Sequence, residues 1–307
     1  MTKTDTSVVI GNLHMKNPVM PASGTYDYNE NNPGLFPMSD LGAIMLKTVH
    51  HDIRPGNKSP RIAETSAGML NAVGIPSIGI HAFIEGKYLE KKYRSLGAPV
   101  IVSVSGGTPE ALRTCCEMLD DSEDIAAIEL NLSCPNVGTG LQLSSDKKLL
   151  HDCVTEARKG TRHTLIAKHS PNVTNIAKMV KISEDAGADA VTVANTYMGM
   201  VIDIKAKKPF LGNKQGGLSG PAIKPLTLYK VFQAYEAVSI PVIGCGGIMC
   251  AEDAIEYILA GAFAVQVGAA NFVDPMVMPK VIRGIEAYME KNQFPDIASF
   301  RGLAHQM

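Results

Sequence analysis

Short apolar runs rich in β-branched residues recur along the chain, and segments with helical spacing lie between most of them. The runs occupy residues 18–22, 43–47, 99–104, 126–131, 164–168, 190–195, 241–244 and 263–268. Apolar residues repeat three and four positions apart in residues 109–119, 147–158, 174–186 and 251–260, as in amphipathic helices. This alternation predicts parallel strands joined by crossover helices.

The number of strands favours a closed barrel over an open sheet. Eight βα units in 307 residues fit a (β/α)8 TIM barrel. An open doubly wound sheet also calls for a G-x-G-x-x-G turn after its first strand, and residues 21–25 read PASGT instead. No linker or repeat interrupts the pattern, so we expect one α/β domain over residues 1–307, with extended βα loops above the C-terminal mouth.

Two segments are too long for ordinary βα connections. Residues 51–79 and residues 197–220 should both overhang the C-terminal mouth of the barrel, and residues 201–205 could pair as a short hairpin. Residues 216–221, GGLSGP, either close over a ligand or simply end the second segment.

Polar residues and glycines gather where the predicted strands end. The set comprises Ser23, Lys47, Thr48, Asn131, Lys168, Asn195, Thr196, Gly246, Gly247 and Gly268. Any one of them alone is better explained as a turn former or a cap. Because a (β/α)8 barrel binds its ligands at the carboxyl ends of its strands, their joint placement predicts a ligand site at this mouth.

The glycine turns after the seventh and eighth strands have a more specific interpretation. Gly246, Gly247 and Gly268 occupy the usual phosphate-binding corner of such barrels. Glycine allows backbone N–H groups to approach an anion closely. The two turns together predict a phosphorylated ligand.

Residues 128–136, IELNLSCPN, end an apolar strand in a thiol. Pro135 cannot donate to a sheet ladder and so marks the end of the strand, which places Cys134 on a loop, where reactive groups are common. The segment alone leaves two interpretations open: a reactive cysteine delivered to a pocket, or a small buried hydrophobic residue.

Composition narrows the class of protein. A net charge of −1 gives no electrostatic footprint for nucleic acid or an anionic membrane, and neither a targeting segment nor a membrane span is evident. We expect a soluble cytoplasmic protein whose six cysteines are reduced. Cys245 and Cys250 are interpreted as structural rather than as ligands of an iron–sulfur cluster, and no metal site is expected at His50 and His51.

Seven motifs together resemble one family over nearly the whole chain. They are MPASGT at residues 20–25, GMLNAVG at 68–74, NLSCPN at 131–136, SPNVT at 170–174, NTYMGM at 195–200, GGLSGPAI at 216–223 and GGI at 246–248. They resemble the class 1 dihydroorotate dehydrogenases, and specifically the class 1B branch. The resemblance implies a flavin barrel with one FMN per chain that oxidises (S)-dihydroorotate to orotate in de novo pyrimidine biosynthesis.

The resemblance also implies roles for individual residues. Cys134 would be the general base that removes a proton from C5 of the substrate, with Lys47 as the second catalytic residue. The implied cofactor-binding residues are Ser23, Lys47, Thr48, Asn131, Lys168, Ala194, Gly220, Gly246, Gly247, Gly268 and Ala269. The implied substrate-binding residues are Lys47, Asn71, Ala72, Val73, Gly74, Ile75, Asn131, Asn136, Asn195 and Thr196. Asparagine amides suit a pyrimidine edge, and lysine suits a carboxylate.

The class 1B resemblance implies partners as well. Such chains form homodimers and pass electrons to a separate subunit that carries FAD and a [2Fe–2S] cluster and reduces NAD. This chain has neither cluster spacing nor a dinucleotide fingerprint of its own.

The chain departs from the family pattern at several positions. His169 follows Lys168 where the family usually has an apolar residue, which would put a titratable ring near the flavin. Ala269 replaces a frequent threonine and removes one hydroxyl donor, worth ~1 kcal/mol of FMN retention. Residues 74–79 and 137–140 also differ from the usual loops.

Three other functions are weighed against dihydroorotate oxidation. A related flavin barrel acting on another dihydropyrimidine would not need a lysine for a carboxylate. A non-catalytic flavin-binding subunit would not need Cys134. A phosphosugar isomerase or lyase is disfavoured because the strand ends carry few carboxylates.

Overall fold

The structure is a computed structural model that describes residues 4–26, 35–86, 89, 93–133, 143 and 145–306. Its strands are β1 Val8–Ile10, β2 Leu13–Met15, β3 Val19–Pro21, β4 Ile44–Met45, β5 Val49–His50, β6 Ile62–Thr65, β7 Gly68–Asn71, β8 Val100–Ser105, β9 Ala127–Asn131, β10 Thr164–Lys168, β11 Ala190–Val193, β12 Tyr197–Gly199, β13 Ile202–Asp203, β14 Lys208–Pro209, β15 Gly216–Ser219, β16 Val242–Cys245 and β17 Ala264–Val267. Its α-helices are α1 Ile80–Glu85, α2 Pro109–Asp120, α3 Lys147–Lys159, α4 Ile176–Asp185, α5 Lys224–Ala237, α6 Ala251–Leu259, α7 Ala270–Val273 and α8 Val277–Asn292. Short 3-10 helices span Met38–Asp40, Arg94–Leu96, Pro221–Ile223, Ile297–Ser299 and Leu303–His305.

Eight parallel strands form a nearly closed barrel in the order β3, β17, β16, β11, β10, β9, β8 and β4, and β5 extends the pairing of β8. The Gly42 N–H donates to the Val19 carbonyl at 2.9 Å and links the two ends of this order. The predicted (β/α)8 fold is confirmed. Each predicted run contains its observed strand except the third and the seventh, where β8 continues to Ser105 and β16 continues to Cys245. Within the second run, β4 covers only Ile44–Met45.

The helices between the strands begin at polar caps. The side chains of Thr108, Asp146 and Asn175 accept hydrogen bonds from backbone N–H groups in the first turns of α2, α3 and α4, which satisfies donors that a helix start leaves unpaired. The four helices predicted from spacing are confirmed with ends shifted by at most two residues; α4 starts late because Asn175 caps it.

The core lies inside the barrel and between its wall and the helices. Cys115, Cys116 and Cys153 are fully buried on the inner faces of α2 and α3. Burial raises the pKa of the Cys115 and Cys153 thiols to about 12, so they stay protonated and pack as small hydrophobic side chains.

A second, four-stranded antiparallel sheet covers the carboxyl ends of the barrel strands. Its order is β12, β15, β7 and β6, and we call it the lid sheet. Leu70 of β7 is paired with Ala63 of β6 and with Leu218 of β15. The lid sheet has a small core of Ala63, Leu70, Ala72 and Leu211.

The lid sheet joins the two long segments, which confirms that they share one mouth. Strands β6 and β7 come from the first segment, and β12 and β15 come from the second. Strands β13 and β14 pair as the predicted short hairpin. At the other end of the barrel, the β1–β2 hairpin contacts the start of β10, where the Asn12 N–H donates to Thr164 Oγ1 at 2.8 Å. Among the described helices, none is both long and apolar enough to cross a membrane.

Candidate active site

A cleft lies between the carboxyl ends of the barrel strands and the lid sheet. All eleven residues predicted to bind the cofactor line this cleft: Ser23, Lys47, Thr48, Asn131, Lys168, Ala194, Gly220, Gly246, Gly247, Gly268 and Ala269. They come from positions that are far apart in the sequence. The barrel brings them together because the ends of parallel strands share one edge.

Most of the predicted substrate-binding residues line the same cleft. The additional members are Asn71, Val73, Gly74, Ile75, Asn195 and Thr196. Ala72 is not among the lining residues; it is fully buried in the core of the lid sheet, and its N–H donates to the Arg61 carbonyl at 2.7 Å. Cys134 and Asn136 lie outside the described residues, so their placement stays a prediction.

A continuous chain of hydrogen bonds crosses the floor of the cleft. Ser23 Oγ is 3.1 Å from Thr48 Oγ1. Asn131 Nδ2 donates to Thr48 Oγ1 at 3.2 Å, and Asn195 Nδ2 reaches Asn131 Oδ1 at 3.5 Å. These four side chains come from four different strand ends, so the network ties the predicted cofactor side of the cleft to the predicted substrate side. We call it the amide chain.

Further hydrogen bonds fix the orientation of Asn195. Its Nδ2 donates to Ser133 Oγ at 2.8 Å, and its Oδ1 accepts from the Thr196 N–H at 2.8 Å. The Thr196 carbonyl in turn accepts from Asn172 Nδ2 at 3.0 Å. An amide that is held in one orientation presents a defined donor and acceptor edge to a ligand.

Gly217 of the lid sheet packs directly against Thr196, the residue after Asn195 of the amide chain. A Cβ atom at this position would lie 1.9 Å from Thr196 Oγ1, closer than any nonbonded contact allows. Glycine is therefore required for the lid sheet to approach Thr196. The spacing between lid and floor depends on this missing side chain.

The glycine corner has the properties of an anion site. Gly246 and Gly247 have φ values of 146° and 70°, and a Cβ atom on Gly247 would lie 2.7 Å from the backbone N of Lys224, the first residue of α5. Among the described residues, none accepts a hydrogen bond from the N–H groups of Gly246, Gly247, Gly268 or Ala269. Unpaired N–H groups beside a helix start suit a phosphate group, so this corner fits the phosphate of a flavin mononucleotide.

Tyr257 of α6 holds the glycine corner from behind. Its hydroxyl donates to the Gly246 carbonyl at 2.6 Å, and its ring is fully buried. Burial raises the pKa of the Tyr257 hydroxyl, which keeps it a donor. The bond directs the Gly246 carbonyl toward the helix layer.

A buried polar network lies beneath the cleft. Lys168 Nζ donates to Gln266 Oε1 at 2.6 Å, and Gln266 Nε2 donates to Glu129 Oε2 at 2.6 Å. Thr192 Oγ1 donates to the same carboxylate oxygen at 3.0 Å, and the other oxygen, Oε1, is 3.7 Å from Lys168 Nζ. Burial alone would lower the pKa of Lys168, but its interactions with Cys245 and Glu129 outweigh burial and raise that pKa. A protonated ammonium therefore lines the cleft.

The structure corrects two expectations. The His169 ring does not face the cleft: its Nε2 is 3.1 Å from Ser183 Oγ on α4, because consecutive residues of a strand point to opposite faces. Burial lowers the pKa of His169 to about 4, so the ring is neutral. Cys245, interpreted as structural, lines the cleft, and burial raises the pKa of its thiol.

Sequence reasoning missed the acidic member of the buried network. Glu129 lies within the apolar run at residues 126–131, and neither Gln266 nor Thr192 belongs to a recognisable motif. The available signal was the period of two along a strand: Glu129 and Asn131 share one face of β9, and Asn131 was already placed at the mouth. Across the described residues, no group of His, Cys, Asp or Glu side chains is arranged to hold a metal ion.

Comparisons with known proteins agree with this geometry. The sequence model of the dihydroorotate dehydrogenase family matches residues 6–289. Two similar curated proteins come from Geotalea uraniireducens (strain Rf4), 44% identical over 98% of this chain and 99% of that protein, and from Trichlorobacter lovleyi (strain ATCC BAA-1151 / DSM 17278 / SZ), 46% identical over 96% of this chain and 97% of that protein. A third, from Carboxydothermus hydrogenoformans (strain ATCC BAA-161 / DSM 6008 / Z-2901), is 44% identical over 97% of each chain. Each is named dihydroorotate dehydrogenase B (NAD(+)), catalytic subunit.

Proposed function

We propose that this chain, which belongs to the dihydroorotate dehydrogenase family, oxidises (S)-dihydroorotate to orotate in de novo pyrimidine biosynthesis. The observation that carries the proposal is the amide chain. It joins Asn131 and Asn195 to Ser23 and Thr48 in one cleft that also contains Lys47 and the glycine corner. Pyrimidine-edge recognition, carboxylate neutralisation and phosphate binding are thus combined in a single site.

FMN is the cofactor that this donor set fits. The N–H groups of Gly246, Gly247, Gly268 and Ala269 would hold its phosphate, and Lys168 would lie against its ring system. The cleft also presents Ser23, Thr48, Asn131, Ala194 and Gly220 toward the cofactor. When bound in this cleft, FMN would supply the acceptor for the hydride that leaves C6 of the substrate.

The chain itself would bind the substrate and move its proton. Lys47 would neutralise the substrate carboxylate, and Asn71, Asn131, Asn136, Asn195 and Thr196 would orient the ring. The segment from Val73 through Ile75 would close one side. Cys134 would take the proton from C5; a free thiol has a pKa of about 8.5, so this base should work best at mildly alkaline pH.

The names of the relatives motivate a partner. They are called the catalytic subunit of an enzyme whose acceptor is NAD(+). We extend this to the present chain as a cytoplasmic homodimer of single-domain subunits, each passing electrons to a second subunit with FAD and a [2Fe–2S] cluster. Co-purification of such a subunit, with NAD reduction only in its presence, would support this assembly.

The test of the activity is anaerobic mixing of the purified chain with L-dihydroorotate while the visible flavin absorbance is followed. Dihydrouracil, which lacks the carboxylate, is the matched control. Rapid bleaching by dihydroorotate alone is expected. Bleaching by both compounds would favour a broader dihydropyrimidine oxidase, and bound flavin without bleaching would contradict the proposed activity.

Cys134 provides the sharpest variant in this assay. Cys134→Ser should keep the FMN spectrum but slow bleaching by about 10²–10⁴-fold, because a hydroxyl is a far poorer base than a thiolate. Cys250→Ser, an exposed cysteine at the start of α6, is the control and should bleach at the rate of the unmodified chain. Equal rates for the chain and Cys134→Ser would show that Cys134 is not the base.

A further inference from the structure

The carboxylate of Glu129 is fully buried beneath the cleft and points at Lys168. Gln266 Nε2 and Thr192 Oγ1 both donate to its Oε2. Among the described residues, its Oε1 has no hydrogen-bond partner within 3.5 Å, and the nearby cation is Lys168 Nζ at 3.7 Å. All three groups are donors, which is the environment of an ionised carboxylate.

A buried carboxylate at this position requires a reason. An ionised group removed from water is costly unless it is paired, and a buried ion pair gives weak net stability compared with apolar packing. Lys168 lines the cleft, whereas Glu129 does not. The pair therefore places the positive charge of Lys168 at the cleft and the carboxylate of Glu129 beneath it.

We propose that Glu129 is a positioning residue that acts through Lys168: it keeps the Lys168 ammonium protonated and directed at the cleft floor, and so sets the electron affinity of the bound flavin. The geometry gives it two connections to the ammonium. One is the direct approach of Oε1, and the other runs through the Gln266 amide, which accepts from Lys168 and donates to Glu129. The neutral Gln266 amide cannot replace the negative charge of Glu129.

The surroundings of Lys168 leave Glu129 as the anion that can perform this role. Among the described residues, the titratable groups that face the ammonium from neighbouring strands are Glu129 of β9 and Cys245 of β16, and both act to raise the pKa of Lys168. Burial raises the pKa of the Cys245 thiol, so this thiol contributes no charge at neutral pH. Gln266 of β17 carries no charge. His169, which directly follows β10, points to the opposite face. Without Glu129, the burial of Lys168 would favour the neutral amine.

This inference rests on the proposed flavin chemistry, and its test separates the two. The ε-¹³C signal of Lys168 is followed by NMR from pH 6 to pH 10 in the chain as purified. We expect Lys168 to stay protonated throughout this range in the unmodified chain. In Glu129→Gln its pKa should fall by at least about one unit, since an opposite charge within 4–6 Å shifts a pKa by 1–3 units. Glu129→Asp should restore part of the difference.

Ser183→Ala is the matched control because it removes the buried hydrogen bond between Ser183 of α4 and His169. This bond lies on the outer side of β10, away from the cleft. The variant should leave the Lys168 signal unchanged. A Lys168 that titrates below pH 9 in the unmodified chain would overturn the proposal without need of any variant. So would equal Lys168 pKa values in the unmodified chain and in Glu129→Gln.

The second readout is the reduction potential of bound FMN between pH 6 and pH 9. In Glu129→Gln the potential should fall more steeply with pH than in the unmodified chain, because a neutral Lys168 no longer stabilises the reduced flavin. The Lys168 pKa could shift in Glu129→Gln while the FMN reduction potentials of the variant and the unmodified chain fall in parallel with pH. That result would overturn the link to the flavin. A chain that bound no FMN would contradict the proposed function, while the NMR signal would still decide whether Glu129 controls Lys168.

Discussion

At the scale of single residues, the cleft consists of side chains that hold one another in place. Asn195 shows this best, because its amide contacts Asn131 and Ser133 and also accepts from the Thr196 N–H. A side chain held by several bonds loses little freedom when a ligand binds, which favours affinity. Substitution at such a position should affect substrate recognition more than the fold.

Asn195→Ala should raise the KM for dihydroorotate about 10- to 100-fold, because the variant leaves polar partners without their bonds, at a cost of roughly 1–3 kcal/mol. FMN content should stay close to that of the unmodified chain. Steady-state kinetics and the flavin-to-protein absorbance ratio provide the measurement. Asn12→Ala, an exposed position at the opposite end of the barrel, is the control, and an equal KM in both variants would contradict the role of Asn195.

His169 predicts how stability depends on pH. Its pKa is about 4 in the folded chain, because of burial, and about 6.5 in the unfolded chain. The unfolded chain therefore binds more protons between these values, so stability is full above about pH 6.5 and falls as the pH drops toward 4. Between pH 7 and pH 5 this residue should cost on the order of 2 kcal/mol of the free energy of unfolding.

Urea unfolding at pH 7 and pH 5 tests this expectation. His169→Gln retains a polar group near Ser183 but cannot gain a proton, so its loss of stability over this interval should be smaller than that of the unmodified chain. His151→Gln, with a side chain that is 52% exposed, should behave like the unmodified chain. If His169→Gln and the unmodified chain lose equal stability, the neutral buried state of His169 is wrong.

At the scale of elements, the lid sheet is stabilised by far fewer apolar contacts than the barrel. Its core contains four buried residues, Ala63, Leu70, Ala72 and Leu211. Elements with little buried apolar surface tend to open locally, ahead of the rest of the molecule. The wall of the cleft should therefore respond to substitutions that leave the barrel intact.

Leu70→Ala is the direct test, since Leu70 is only 2% exposed. Loss of this side chain should cost about 2–5 kcal/mol of local stability. Hydrogen exchange should accelerate in residues 62–71 and 216–219 and stay unchanged in α2 and α3. Ile204→Ala, a position that is 83% exposed, is the control; equal acceleration in the helices would show that the sheet does not open independently.

At the scale of the whole molecule, the cleft depends on the assembly of the complete barrel. The glycine corner combines the ends of β16 and β17, whereas the amide chain begins after β3. A ligand that contacts both would stabilise the folded molecule as a unit, by an amount set by its concentration relative to its Kd.

FMN and riboflavin should differ in this stabilisation, because riboflavin lacks the phosphate. At a concentration of 100 times its Kd, FMN should contribute about 2.7 kcal/mol and raise the Tm of the flavin-free chain by roughly 5 °C. Riboflavin at the same concentration should raise it much less. Gly247→Ala should remove the difference, because its Cβ would meet the backbone of Lys224; equal shifts from both flavins in the unmodified chain would rule out the phosphate corner.

The sequence was sufficient to predict the barrel and most of the site, because both depend on local patterns. The strand runs predict where the strand ends converge. The polar residues Lys47, Asn131 and Asn195 lie at those ends and therefore predict one cleft. The packing of the lid sheet was not predictable in this way, since its pairing joins residues 150 apart. The resemblance alone does not predict where the His169 side chain points. That direction follows from the alternation of side chains along and just after β10. The direction of Glu129 follows from the same alternation along β9.

The lid sheet also has a consequence for the order of events during translation. Strand β7 emerges from the ribosome with one edge unpaired, and its partner β15 follows 150 positions later, as the pairing of Met69 with Ser219 shows. At ~5–20 residues per second this gap lasts roughly 8 to 30 seconds. A nascent chain therefore carries an open strand edge for that time, and an incompletely synthesised chain has no cleft in which to retain a flavin.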